Sequence, residues 1–322
     1  MTDVPPAVDA ARRPDPWRAG TLQLAPGLPL SLYVHLPWCL RKCPYCDFNS
    51  HEVSKAPRLP AVATPRGGSP RTGGPGSEVA APSLPAVATP RGGSPRTGEP
   101  GSEVAPSRLD PGLEASYLDA LVADLESALP LVWGRRVLSV FIGGGTPSLF
   151  APASIERLLA DIRARLPLEP GCEITLEANP GTFERDRFRA FRDAGVTRLS
   201  VGVQSFDDAA LAKLGRVHDG AQARAAVEEA ARVFDTFNLD LMYALPGQDL
   251  AALDRDLDIA LALRPPHLSI YHLTLEPNTV FATRPQAGLP DDDLSAAMLD
   301  RIVERTAAAG LARYEVSAFA AP

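Results

Sequence analysis

The sequence predicts an α/β fold built around a parallel sheet. Beyond residue 112, short apolar runs alternate with longer stretches whose apolar residues recur every three or four positions. Strands alternating with helices in this way imply β-α-β crossovers onto one parallel sheet. Several of the short runs end in glycine, a carboxylate or an amide, and strand carboxyl ends are where parallel α/β barrels collect their chemistry. The chain has 322 residues and is 45% hydrophobic, enough for a sizeable core in one large domain or two smaller ones. About six strand–helix units suit an open barrel or a doubly wound sheet equally, because periodicity does not distinguish the two.

The first strand is predicted over residues 31–36, where Leu32, Val34 and Leu36 alternate with Tyr33 and His35, as on a half-buried strand. A helix over 117–129 places Leu118, Leu121, Leu125 and Leu129 on one stripe. Residues 137–142 read as an apolar strand ending in Gly143-Gly144-Gly145-Thr146-Pro147. Glycines there permit close backbone approach, but the run lacks the GxGxxG or GxxxxGK[ST] spacing of phosphate loops and by itself is a tight turn. A helix over 154–166 turns Ile155, Leu158, Leu159, Ile162 and Leu166 inward, and a strand over 173–177 is broken by Asn179-Pro180-Gly181. The rhythm continues through helix 185–194, strand 198–203, helix 221–234, strand 238–243, helix 250–263, strand 267–273, helix 292–309 and a short strand 313–317.

Between the first strand and the first helix, SLYVHLPWCLRKCPYCDFNSH runs into a loop with Cys39, Cys43 and Cys46 spaced C-x3-C-x2-C. Pro37 and Pro44 keep this segment out of regular helix or sheet, since each lacks an N–H and fixes φ. Three thiolates suit a [4Fe–4S] cluster with one iron left open for a small molecule. Zinc completed by His35, Asp47 or His51 is the competing metal reading, and reduced bystander thiols are a third. Cys172, far from the loop, reads as a small buried hydrophobe. His35, His218, His267 and His272 read as structural histidines. Glu177 ends a strand with a carboxylate that could hold a ribose or an ammonium, or is an exposed strand terminus. Tyr33 and Tyr45 are equally compatible with core packing.

A net charge of −7 excludes a general nucleic-acid binder, which would show a basic stripe. No apolar run approaches membrane-spanning length. Residues 1–30 read as a flexible lead-in without the apolar core of a signal peptide. Clustered, reduced cysteines then fit the cytoplasm. Residues 55–111 form a separate compositional segment, in which LPAVATPRGGSPRTGGPGSEVAAPS is followed at once by LPAVATPRGGSPRTGEPGSEVAPS. Dense in Pro, Gly and Ser and nearly without large apolar residues, this tandem repeat cannot bury enough surface to offset its ordering entropy. It is expected to be a disordered insert between two parts of one core, 31–54 and 112–322.

The segment Tyr33-x-His35-x-Pro37-Trp38-Cys39-x3-Cys43-x-Tyr45-Cys46 resembles the radical S-adenosylmethionine (SAM) superfamily. Within it the segment is similar to the branch of oxygen-independent coproporphyrinogen III oxidases and HemW-type haem chaperones. The resemblance runs from about residue 30 to residue 319, the insert apart. It implies a partial (β/α)6 barrel of parallel strands and a [4Fe–4S] cluster held by Cys39, Cys43 and Cys46. It implies SAM contacts at Tyr33, Tyr45, Gly144, Gly145, Thr146, Glu177, Gln204, Arg216 and Asp240. An electron passed to the cluster would then cleave the SAM sulfonium to a 5′-deoxyadenosyl radical.

The oxidase pattern carries an extra cysteine two residues beyond the third ligand, where this sequence has Phe48. The stretches CDFNS, EANPG, GVQSF, NLDLM and PDDD look like the chaperone type. The resemblance therefore implies haem handling: haem bound and passed to acceptor proteins such as respiratory haem enzymes, with an electron-donor protein for the cluster. Coproporphyrinogen III oxidation, with a porphyrinogen substrate, is the runner-up, and a non-catalytic cluster- or haem-binding protein is a third reading. Family members continue into a His-Asn-x-x-Tyr-Trp segment proposed to carry haem and into a C-terminal domain. Both are expected to be absent from this chain, which stops at Pro322.

Overall fold

The computed structural model describes residues 28–53, 109–181 and 185–322. Residues 1–27 of the lead-in and nearly all of the repeat segment lie outside the described residues, and the lead-in's last residue, Leu30, already belongs to the first strand. The end of the predicted insert is also described: Leu109 is buried in the core, Asp110 caps the first helix and Pro111 opens it. The ordered core thus resumes slightly before residue 112.

Strand β1 (Leu30–Leu36) leads into the short β2 (Trp38–Cys39), which pairs only with β3 (His51–Glu52). This miniature parallel pair closes the cysteine loop at its base. Helix α1 (Pro111–Val132) is followed by β4 (Val137–Gly144), α2 (Pro152–Arg165), β5 (Leu168–Ala178), α3 (Phe188–Asp193) and β6 (Arg198–Gln204). Then come α4 (Asp208–Lys213), α5 (Gly220–Val233), β7 (Thr236–Tyr243), α6 (Leu250–Ala262), β8 (His267–His272), α7 (Val280–Thr283) and α8 (Asp292–Ala308). Hairpin strands β9 (Ala312–Arg313) and β10 (Ala318–Ala320) close the chain.

The main sheet runs β1-β4-β5-β6-β7-β8-β10-β9. The first six strands are parallel, and each lies beside its predecessor in that series. A doubly wound sheet would reverse strand order at a switch point; this order does not, and it leaves β1 and β9 as edges. The architecture is therefore the partial barrel rather than the doubly wound alternative. The expectation of parallel strands fails only at the end. In place of one strand over 313–317, β10 is antiparallel to β8 and to β9. The intervening residues turn because the Arg313 guanidinium donates to the carbonyls of Glu315 and Val316. Helices α4 and α7 were not foreseen, being too short to show a helical period.

Register decides which residues share a face. Tyr33 aligns with Phe141, Phe141 with Thr175, Thr175 with Arg198, and Arg198 with Thr236. Alternation then puts Ser139, Gly143, Glu177, Ser200, Gly202, Asn238, Asp240, Ser269 and Tyr271 on this polar face as well. The other face carries Val140, Ile142, Ile174, Leu176, Leu199, Val201, Leu239, Leu268 and Ile270, all buried in one core with the inner stripes of the helices. Fully burying each such side chain contributes about 1.5–3 kcal/mol, so the period-2 pattern fixes which way the sheet faces. Among the described residues, aspartates cap five of the helices: Asp110, Asp207, Asp219, Asp249 and Asp291 each accept a first-turn N–H. Among the described residues, no helix is long and apolar enough to cross a membrane.

Candidate functional site

At the carboxyl ends of β4–β8 the polar face opens into a cavity of about 390 Å³, which also takes in the cysteine loop. That volume falls in the ~300–1,000 Å³ range of small-molecule sites.

The loop is anchored by backbone bonds on both sides. His51 N–H donates to Pro37 O (2.7 Å), Gly145 N–H to Leu36 O (2.8 Å) and Thr146 N–H to Trp38 O (2.7 Å). A Cβ on Gly145 would stand 2.6 Å from Trp38 O and 2.7 Å from Pro37 C. Gly145 is therefore required by the packing of the strand end against the base of the loop. Gly144 has φ +119° and donates its N–H to Glu177 Oε2 (3.0 Å). Within the loop, Cys46 N–H donates to Cys43 O (3.1 Å), and Lys42 Nζ holds Phe48 O (2.9 Å).

Cys39, Cys43 and Cys46 all line the cavity and are partly buried. Burial pushes the Cys39 and Cys46 thiols up, so the bare loop favours thiols, and a positive inorganic centre would be needed to draw thiolates from it. Arg216 Nη1 points at Cys43 Sγ (3.7 Å). Among the described residues, no three His, Cys, Asp or Glu side chains group tightly enough for a single metal ion. A structural zinc site takes four protein ligands, whereas in a [4Fe–4S] cluster three thiolates each bind a different iron and leave the fourth open. His35, one of the zinc candidates, is already engaged: Nε2 faces Asn49 O (2.8 Å) and Nδ1 faces the Tyr33 hydroxyl (3.2 Å). The donor set fits a cluster better than zinc.

Around the cysteines, the cavity wall contains Tyr45, Gly144, Gly145, Thr146, Glu177, Gln204, Arg216 and Asp240. Gln204 ends β6 with φ +70° beside a bulge, a left-handed backbone uncommon outside glycine and often found at functional positions. Its Oε1 accepts the Tyr271 hydroxyl (2.5 Å). Arg216 is locked by Asn179 Oδ1 (2.6 Å) and Gly202 O (2.6 Å). Burial first, and the nearby Asp240 carboxylate second, raise Glu177 to about 7. Burial also raises Asp240, against the hydrogen bonds it accepts from Ser200 and Asn238.

Tyr33 is the one expected contact that does not line the cavity. Its ring stacks on Phe141 (6.1 Å) and stands 57% exposed. His218 is structural: its Nε2 donates to Val203 O (3.0 Å), and burial, then Arg216, lowers it to about 4. His272 does line the cavity, edge-on to Tyr243. Sequence reasoning missed Asn179, which bridges Thr146 Oγ1 (2.9 Å) to Arg216. It also missed Ser200 and Tyr271, although the period-2 pattern puts Tyr271 on the same face as His267 and Ser269.

A partial barrel with three cysteines at the carboxyl-end cavity defines the class. Residues 119–260 match the family described as the Radical SAM superfamily, and the chain carries a radical SAM domain. Within that class it is similar to haem chaperones. It is 40% identical over 295 residues to the haem chaperone HemW of Escherichia coli (strain K12), covering 91% of this chain and 63% of that protein. Over 301 residues it is 35% identical to HemW of Mycobacterium tuberculosis (strain H37Rv), covering 92% of this chain and 64% of that protein. The solved structure of the radical SAM enzyme coproporphyrinogen III oxidase (HemN) from Escherichia coli superposes with a TM-score of 0.68 at 25% identity. That match covers 92% of this chain and 57% of the oxidase. The chain thus spans 63–64% of the length of these chaperones.

Proposed function

We propose that this protein binds a [4Fe–4S] cluster through Cys39, Cys43 and Cys46, binds SAM beside it, and serves in haem handling by passing haem to acceptor proteins such as respiratory haem enzymes. The observation that carries the reading is the convergence of these cysteines with Gly144–Thr146, Glu177, Gln204, Arg216 and Asp240 on one cavity. A reduced cluster supplies the electron that cleaves the SAM sulfonium bond. The chain's own residues bind and orient. Glu177 and Asp240 present carboxylates to hydroxyl or amino donors, Tyr45 offers a ring face, and Arg216 places a cation against Cys43. Tyr33 keeps a SAM-side role only if it turns towards the cavity. An electron-donor protein is needed, and thiols that must stay reduced favour the cytoplasm.

Haem handling is favoured over porphyrinogen oxidation by Phe48. It stands at the cavity mouth, where the oxidase pattern has a cysteine. The higher identity to the chaperones than to the oxidase points the same way. Coproporphyrinogen III oxidation remains the second reading, on the strength of the shared fold, and a non-catalytic binding protein is the third.

The test is an anaerobic assay of cluster-reconstituted protein with SAM, reductant and coproporphyrinogen III, with haem binding followed spectroscopically in parallel. Haem binding without protoporphyrinogen is the expected result. Decarboxylated product would make it an oxidase. Neither activity, with no 5′-deoxyadenosine and no change in the cluster spectrum on adding SAM, would leave only the binding-protein reading. Replacing any one of Cys39, Cys43 or Cys46 by Ala should abolish the cluster absorbance.

A further inference from the structure

Below the cavity one continuous hydrogen-bonded chain crosses the polar face to Asp240, and its Tyr314–His267–Asn238 end has no part in the reading above. At the amino end of β8, Tyr314 from the closing hairpin stands edge-on to His267 (5.7 Å), its hydroxyl 2.7 Å from His267 Nε2. His267 Nδ1 lies 2.6 Å from Asn238 Oδ1 on the neighbouring strand β7. Ser269 Oγ donates to the same oxygen (3.1 Å). The Asn238 amide nitrogen donates to Asp240 Oδ1 (2.6 Å) and to Ser200 Oγ (2.8 Å). Ser200 Oγ donates in turn to Asp240 Oδ2 (3.0 Å). Asp240 is on the cavity wall.

An ionised Asp240 carboxylate only accepts, so the Asn238 NH2 faces it and Oδ1 faces His267 and Ser269. With Oδ1 as the acceptor, a neutral His267 carries its proton on Nδ1, and Nε2 accepts from the Tyr314 hydroxyl. A carboxylate has about four acceptor positions. Asn238 and Ser200 fill one on each oxygen, Ser269 and the Arg198 cation also act on the carboxylate, and the residue itself lines the cavity. Asn238 is 2% exposed, so its amide has no water to compensate a lost partner.

We propose that Asn238 and His267 are positioning residues: His267 orients the Asn238 amide, and that amide fixes the Asp240 carboxylate as the acceptor for hydroxyl or amino donors of the bound cofactor. The inference rests on the reading of the cavity as a SAM site. It assigns a role to two residues of the strand interior that touch no ligand, and it replaces the view of His267 as mere packing.

The test uses the full chain, cluster-reconstituted under anaerobic conditions, with SAM affinity measured by equilibrium dialysis. Asn238→Leu removes the amide from both ends of the chain. His267→Phe removes the donor that orients the amide, and His267→Asn restores a donor near the position of Nδ1. The expected result is a loss of about tenfold or more in affinity for Asn238→Leu and His267→Phe, the scale of a lost charge-assisted hydrogen bond, with substantial recovery in His267→Asn. The denaturation midpoint and cluster content of the two histidine variants should match each other, which separates positioning from folding. Should Asn238→Leu fail to fold, the histidine pair alone decides. Wild-type binding with equal affinity in both histidine variants overturns the positioning role and leaves the SAM reading intact. No SAM binding by the wild type overturns both.

Discussion

Glu177 sits at the end of β5 with one oxygen committed to the Gly144 N–H. Burial raises its carboxyl from 4.5 to about 7, the Asp240 carboxylate adds to this, and the Gly144 bond opposes it. A carboxyl raised in the folded state binds more protons there than in the unfolded chain. Its stabilising effect is therefore complete below about pH 4.5 and is lost as pH rises through about 7. The ligand-free protein should thus be less stable at about pH 8 than at about pH 5 by of order 2 kcal/mol from this group alone. Glu177→Gln should flatten that slope, as checked by urea denaturation at both pH values. An unchanged slope in the variant would show that another group is responsible. A cationic ligand near Glu177 would favour its ionised form, so binding near neutral pH should release a proton.

At the scale of elements, the site depends on how closely the end of β4 meets the base of the cysteine loop. Gly145 makes that approach possible, because the atoms a Cβ would meet belong to the backbone of Pro37 and Trp38 and have no rotamer through which to yield. Gly145→Ala should destabilise the fold by about 1–3 kcal/mol, the usual range for overpacking, and push the loop outward. Iron and sulfide content per chain should fall together with the denaturation midpoint. Full cluster loading at wild-type stability would show that the loop tolerates the shift. The other two glycines of the run answer different neighbours: a Cβ on Gly143 would stand 2.9 Å from Glu177 Oε2, and one on Gly144 2.6 Å from the His35 ring.

Across the whole molecule, residues 57–105 enter the sequence between the cysteine loop and α1. Their composition offers little apolar surface for packing, and loop length weighs little on closure. Replacing them with a short Gly/Ser linker should shift the melting temperature by no more than about 4 °C and leave SAM affinity within about twofold of the parent, as followed by thermal unfolding and equilibrium binding. A marked loss of affinity would assign the repeats a part in the site.

The order of strands and helices, the direction each strand faces and the C-x3-C-x2-C loop were legible because each is local: a period, a cap or a spacing within a few residues. Gly144, Glu177, Gln204, Arg216 and Asp240 were reached through the resemblance, and only the glycine run and Glu177, at the ends of β4 and β5, had a chemical reading of their own. The closing hairpin was misread as one strand because its turn is set by Arg313 folding back on its own carbonyls, without the glycine or proline that marks a turn. Tyr33 shows the limit of alternation, which gives a face but not a height along the strand. Asn179 and the Tyr314–His267–Asn238–Asp240 chain were invisible for a different reason. His267 and Asn238 are 29 residues apart and Tyr314 is 47 from His267, and only the register of β7, β8 and β10 brings them together. The sequence by itself determined which elements form and which residue types gather at the strand ends. Tertiary structure decided which of them touch, because hydrogen bonds act over about 3 Å and only strand pairing fixes positions to that tolerance.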